Sequence, residues 1–321
     1  MPLSYDRRIR YGLFEALTAS GVAHGLVRRH LSDPTHVDLH LRAYRGKAAN
    51  RATLYCGTTR VLNLIETNRH FRLEAAAKWR AHDHHGLPWM QSLTTSVLAR
   101  VWPNVERYLD MVIPVVATHG YFLREGSVQN VVGRLSGSGF AVFDREAVPC
   151  FTDTPEKNRI MAEEAGGLLA AVARRPGDPT WWNPPANLGE ECDAVALDTN
   201  GRFIAIEVKH SRDTTGITWA PLQVAYYARL FRRWATEDLT CRDSVLGMLS
   251  QRVRLGLTIQ QDWHVKQPMT VQPMVIVGGG SPTPAAQMRC ELVRDRLADS
   301  DLVGDLSVSL LVGGRLQPFL T

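Results

Sequence analysis

The feature that most restricts this chain is an Asn-Gly pair, Asn200-Gly201, set between two apolar-rich runs. Cys192–Leu197 precedes it and Phe203–Lys209 follows it. Asn-Gly between alternating apolar residues is the strongest short-range hairpin signal. Side chains alternate faces along a strand, so Glu207 and Lys209 share one face and Val208 takes the other. Asp193 and Glu207 each lie seven residues from Asn200, so folding the hairpin there sets them opposite one another. Two carboxylates and one lysine then converge on an otherwise apolar sheet.

Such a cluster is costly to bury without compensation. One lysine neutralises one carboxylate, which would make the group a salt bridge at a strand edge. A divalent cation accounts for all three groups at once. Mg²⁺ (or Mn²⁺) prefers hard oxygen ligands, commonly takes one or two carboxylates, and keeps waters for chemistry on phosphate. An ammonium beside a metal-bound water could orient the nucleophile and offset charge building on the phosphate.

Asp193 followed across a hairpin by Glu207-x-Lys209 resembles the PD-(D/E)xK nuclease superfamily, which includes restriction endonucleases, Holliday-junction resolvases and RecB-type exonucleases. The wording around Gly189-Glu190, Asp193-Ala-Val-Ala and Ile206-Glu207-Val208-Lys209 is closest to its resolvase-like members. The resemblance is close over roughly 60 residues, and Cys192 stands where the superfamily motif has proline. It implies an α/β fold, a restriction-endonuclease-like mixed sheet flanked by helices. It also implies an Mg²⁺-dependent deoxyribonuclease whose metal is held by Asp193, Glu207 and the Val208 carbonyl, with Lys209 positioning the attacking water. A helix ahead of the hairpin commonly adds a carboxylate. Thr154-Pro155-Glu156 opens such a helix, and its apolar stripe (Ile160, Met161, Ala165, Leu168, Leu169, Val172) leaves Glu164 at the edge and Glu163 nearly opposite. RecB-type members also carry Gln-x-x-x-Tyr on the helix after the hairpin, matched here by Gln223 and Tyr227 in a helix expected from about Pro221. A catalytically silent DNA-binding module of the same fold, working inside a larger complex, is the competing class.

Elsewhere the chain is less specific. It contains no apolar run long enough for a membrane span and no secretory-type apolar stretch near Met1. Its five cysteines are odd in number and never form Cys-x-x-Cys, which fits a reducing cytoplasm and speaks against zinc or an iron–sulfur cluster. Residues 1–150 carry 19 Lys and Arg against 12 Asp and Glu, a net of +7, while the remainder nets −2. A basic, mostly helical accessory region over 1–145 is therefore expected to grip nucleic acid, DNA above all, ahead of a nuclease-like domain over 146–321. Whether it works as a homodimer or in a larger complex stays open.

Within that region, 1–33 reads as helix broken at Ser20-Gly21, and His36–Tyr44 and Thr53–Cys56 read as strands around a basic loop, Arg45–Arg51. Arg60–Arg80 has the spacing of a long amphipathic helix (Leu64, Phe71, Leu73), with further helices over 90–101, 104–118 and 127–137. His82-Asp83-His84-His85 reads as a helix-end cluster before Gly86-Leu87-Pro88, and the Trp181-Trp182 loop as packing against the sheet edge. Near the end, Val271–Val277, Pro282–Ala298 and Leu306–Val312 read as strand, helix and strand, with Gly278–Gly280 as a connection.

Overall fold

A computed structural model describes residues 3–43, 49–120, 122–135, 139–298 and 305–319. The chain divides into two units, each built from separate segments: Asp6–Gly137 with Ser244–Asp262, and Met1–Tyr5 with Ser138–Asp243 and Trp263–Thr321.

The first of these begins with two short helices, α1 (Tyr11–Leu17) and α2 (His24–Ser32). Four strands follow, β1 (Val37–Ala43), β2 (Ala49–Cys56), β3 (Thr59–Thr67) and β4 (His70–Glu74), paired antiparallel in the order β1-β2-β3-β4. The basic tip between β1 and β2 falls largely outside the described residues. The region is thus not mostly helical, and the helix expected over Arg60–Arg80 is a hairpin followed by one short turn of helix, α3 (Ala77–Arg80). Phe71 and Leu73 on β4 are buried between the exposed His70 and Arg72, the period-two pattern of a strand, while β3 is buried from Val61 to Glu66. The seven-residue step from Leu64 to Phe71 imitates a helix because the turn between them happens to span it.

Helix α4 (Thr95–Ala117) runs unbroken through Pro103, where two helices were expected. An interior proline costs about 3 kcal/mol. That is outweighed by a buried stripe of Leu98, Trp102, Val105, Leu109, Val112 and Val116, each contributing roughly 1.5–3 kcal/mol. Helix α5 (Ser127–Val132) completes the N-terminal part.

In the other unit, β5 (Phe140–Ala147) leads to α6 (Thr154–Ala171), β6 (Cys192–Asp198), β7 (Phe203–His210) and α7 (Thr214–Glu237). Asp153, one residue earlier than expected, caps α6 by accepting from the Glu156 amide at 2.8 Å. Helix α8 (Cys241–Arg254) enters the first unit, where Arg252, 1% exposed, donates to the Leu39 carbonyl at 2.9 Å. The chain then returns through β8 (Val271–Gly278), α9 (Pro284–Ala298), β9 (Ser307–Val312) and β10 (Arg315–Pro318).

The resulting six-stranded sheet has the order β10-β9-β8-β7-β6-β5. It is mixed: β5, β6 and β7 are antiparallel, β8 is parallel to β7, and β9 is parallel to β8. The molecule is therefore α/β with one antiparallel and one mixed sheet. Strand β7 is buried along its whole length, as expected of an interior strand. Among the described residues no helix is long and apolar enough to cross a membrane.

Candidate active site

The hairpin β6–β7 pairs Ala194 with Ile206, Val195 with Ala205, Ala196 with Ile204 and Leu197 with Phe203. One step further along that register, at the open end, Asp193 stands against Glu207. Gly201 makes the turn with φ 76°, a conformation that glycine adopts without cost. A Cβ there would lie 2.7 Å from the Lys266 amide nitrogen.

Three groups meet at this end. Asp193, half-buried, accepts a 2.7 Å hydrogen bond through Oδ2 from the Val208 amide. Lys209 Nζ donates to Glu207 Oε1 at 2.6 Å, and these two side chains are 9% and 4% exposed by residue. Burial pushes the Asp193 carboxyl above its ordinary range, against the pull of the Lys209 ammonium, the Val208 amide and the Arg145 guanidinium. Cys192, just before it, is buried with its thiol 3.2 Å from the carbonyls of Ala194 and Ile206. Burial, reinforced by the charges of Glu207 and Asp193, holds that thiol protonated.

Helix α7 supplies the surroundings. Its start is seven residues earlier than expected, because Asp213 caps it by accepting from the Gly216 amide at 2.8 Å. Gly216 lets that first turn close on Lys209: a Cβ there would lie 3.0 Å from Lys209 Cδ and 2.2 Å from Asp213 Oδ2. Two and three turns further on are Gln223, half-buried, and Tyr227, which is buried. The Tyr227 hydroxyl donates to the Leu188 carbonyl at 2.9 Å. Next in the chain, Gly189 has φ 85°, and a Cβ there would come within 2.5 Å of the same hydroxyl. Burial and the neighbouring carboxylates raise the Tyr227 phenol, so it stays a donor. It thereby pins the segment that delivers Asp193 to the sheet.

Glu164 is placed differently from the expectation. Its side chain is the more buried of the pair, 14% exposed against 45% for Glu163, as the helical phase predicts. Both its oxygens, however, face arginines of α7: Arg229 donates to Oε2 at 2.9 Å and Arg233 to Oε1 at 3.4 Å. Among the described residues, no group of three or more His, Cys, Asp and Glu is arranged to hold a metal. The His82–His85 cluster accordingly forms no such group. Trp182, 1% exposed, donates to the Val172 carbonyl and lies under Arg296 at 3.8 Å, so it packs within the fold.

Reading the sequence for a nuclease motif did not single out Arg145, Asp213 or Gly216. Asp213-x-x-Gly216 carries a legible cap signal, whereas nothing local marks Arg145, 1% exposed on β5, as a neighbour of Asp193.

No family model, no curated protein and no solved structure matches the chain.

Proposed function

We propose that this protein is a metal-dependent nuclease that hydrolyses phosphodiester bonds of DNA. The observation that carries the reading is the register of β6 and β7, which sets Asp193 against Glu207 with Lys209 bonded beside them. A β5-β6-β7 antiparallel run with β8 parallel to β7 also suits the restriction-endonuclease-like sheet that the motif implies.

The donor set fits Mg²⁺ or Mn²⁺ held by few protein ligands. Asp193 and Glu207 are hard oxygen donors on adjacent strands, and the Val208 backbone carbonyl is a third oxygen. Two carboxylates and several waters are typical of Mg²⁺, whereas zinc sites are built mainly on His nitrogen and Cys sulfur. Glu164, engaged by Arg229 and Arg233, is left out of this set. When bound, the cation supplies Lewis-acid stabilisation of the phosphoryl oxygens and lowers the pKa of a bound water.

The protein's own residues do the positioning. The Val208 amide fixes one oxygen of Asp193 and so its orientation. Glu207 holds the Lys209 ammonium at the open end of the hairpin, where it orients a water by hydrogen bonding and offsets charge on the phosphate. Gly216 lets the first turn of α7, capped by Asp213, approach the lysine stem. Tyr227 steadies the loop before Asp193, and Gln223 lies one turn before that tyrosine on α7.

The 2.6 Å pair of Glu207 with Lys209, nearly buried, supports a second reading, a catalytically silent nuclease-fold module that binds DNA. The two separate in one experiment: incubation of the purified protein with DNA and Mg²⁺ or Mn²⁺. Cutting that is lost on Asp193→Ala and on Lys209→Ala supports the nuclease. Binding without cutting, across several metals and substrates, supports the silent module.

A further inference from the structure

The unit containing the antiparallel sheet has a cavity of its own, about 670 Å³ in volume, within the range of small-molecule sites. Phe71, 3% exposed, lies on its wall, and Tyr11, 77% exposed, lies at its mouth. Four charged residues line it as well: Arg10, Arg69, Glu15 and Glu66. The unit carries 20 Lys and Arg against 11 Asp and Glu, a net of +9, which favours an anionic ligand.

Two features mark the cavity as a built site. The first is Glu66, 5% exposed, whose carboxylate is held in place by the Asn50 amide group at 2.7 Å and the Arg69 backbone amide at 2.8 Å. Gly12 brings α1 down onto it, since a Cβ there would lie 3.3 Å from Oε1. A carboxylate has about four acceptor positions, so these bonds orient it without exhausting it. The second is the β3–β4 turn. Thr67 pairs with His70, leaving Asn68 and Arg69 as a two-residue loop with φ 51° and 66°. Such a turn strongly favours glycine at its second position, and a bulky side chain there is strained. The strained position carries an arginine that lines the cavity.

We propose that this cavity binds a guanine nucleotide, free or as the unpaired residue of a strand. An exposed tyrosine stacks a base with little regard to its identity. Two guanidinium groups suit the phosphate. Carboxylates accept and do not donate, so Glu15 and Glu66 select a base edge rich in N–H groups, and guanine presents adjacent N1–H and N2–H donors there. The site does not depend on the Asp193–Lys209 chemistry.

Calorimetric titration of the full-length protein with GMP and with UMP tests the proposal. GMP should bind at least about tenfold more tightly than UMP, and Tyr11→Ala should weaken GMP binding by about tenfold. Glu15→Gln should erase the preference for GMP. Arg69→Gly should raise the melting temperature by relieving the turn and yet weaken GMP binding. Asp193→Ala should leave it unchanged, so failure here and failure of the nuclease reading are separable. An oligonucleotide ending in an unpaired guanine that binds more tightly than GMP assigns the ligand to a strand, and equal affinity assigns it to the free nucleotide. Absence of saturable GMP binding, or unaltered affinity in Arg69→Gly, overturns the proposal.

Discussion

Asp193 is tied to Val208, the residue that separates Glu207 from Lys209, by a 2.7 Å hydrogen bond from the backbone amide. The carboxylate of one strand is thus held by the backbone of the next at the centre of the Glu-x-Lys triplet. Its ionisation is coupled to the integrity of the open hairpin end.

That coupling predicts a pH dependence. The folded-state pKa of Asp193 lies above the ordinary aspartate value of 3.8 because burial disfavours the charge. Below that value the carboxyl is protonated in both folded and unfolded chains. As pH rises through the window above it, the unfolded chain releases its proton first, and the native state loses stability. Asp193→Asn, which keeps an oxygen for Val208, should be at least as stable as the parent at pH 7. The urea midpoints of the two proteins should converge below about pH 4. Mg²⁺ affinity of the parent should rise through the same window.

Lys209 and Glu207 form a nearly buried pair, so removing one partner strands the other. Lys209→Met should cost about 3 kcal/mol. Adding Glu207→Gln to that variant should recover most of the loss, because the uncompensated charge is gone. Chemical denaturation of the two single variants and the double variant measures the coupling directly. Additive losses would show that the pair is not energetically linked.

Glu164 bridges α6 to Arg229 and Arg233 on α7. Glu164→Gln should lower stability by about 1 kcal/mol, as a partly exposed ion pair allows, and should leave the Mg²⁺ concentration for half-maximal cutting unchanged. Glu163→Gln, which is more exposed, should cost less. A several-fold increase in the Mg²⁺ requirement of Glu164→Gln would place that carboxylate at the metal after all.

The net charge of +9 on the Asp6–Gly137 and Ser244–Asp262 unit should make DNA binding salt-sensitive. Each phosphate neutralised contributes about −0.9 to the slope of log K against log salt. A slope of about −4 or steeper, measured by fluorescence anisotropy over roughly 50–200 mM salt, is expected. A flat profile would mean that the charge has no role in DNA binding.

The hairpin was legible because Asn200-Gly201 states its turn and the flanking apolar residues state its faces. Asp193, Glu207 and Lys209 could then be placed by counting. The Arg60–Arg80 segment was misread because its turn is Asn68-Arg69, without the glycine that announces a left-handed pair. The Leu64–Phe71 spacing then imitated a helix. Pro103 suggested a break in α4 that tertiary burial overrides. Arg145 could not be found at all: its nearness to Asp193 depends on β5 pairing with β6 across more than 40 residues of chain. Glu164 had its face assigned correctly, but the arginines that claim it sit on a helix some 65 residues later.

Helix α8 gives the ribosome an ordering problem. The antiparallel sheet is complete in sequence by Glu74, yet Arg252, which hydrogen-bonds to the Leu39 carbonyl, is made some 180 residues later. During synthesis, the N-terminal unit must wait with that carbonyl uncovered while Phe140–Glu237 emerges and folds as an insertion. A chain beginning near residue 150 is therefore no clean half. It lacks β5, and it carries Ser244–Asp262 with no sheet to receive it.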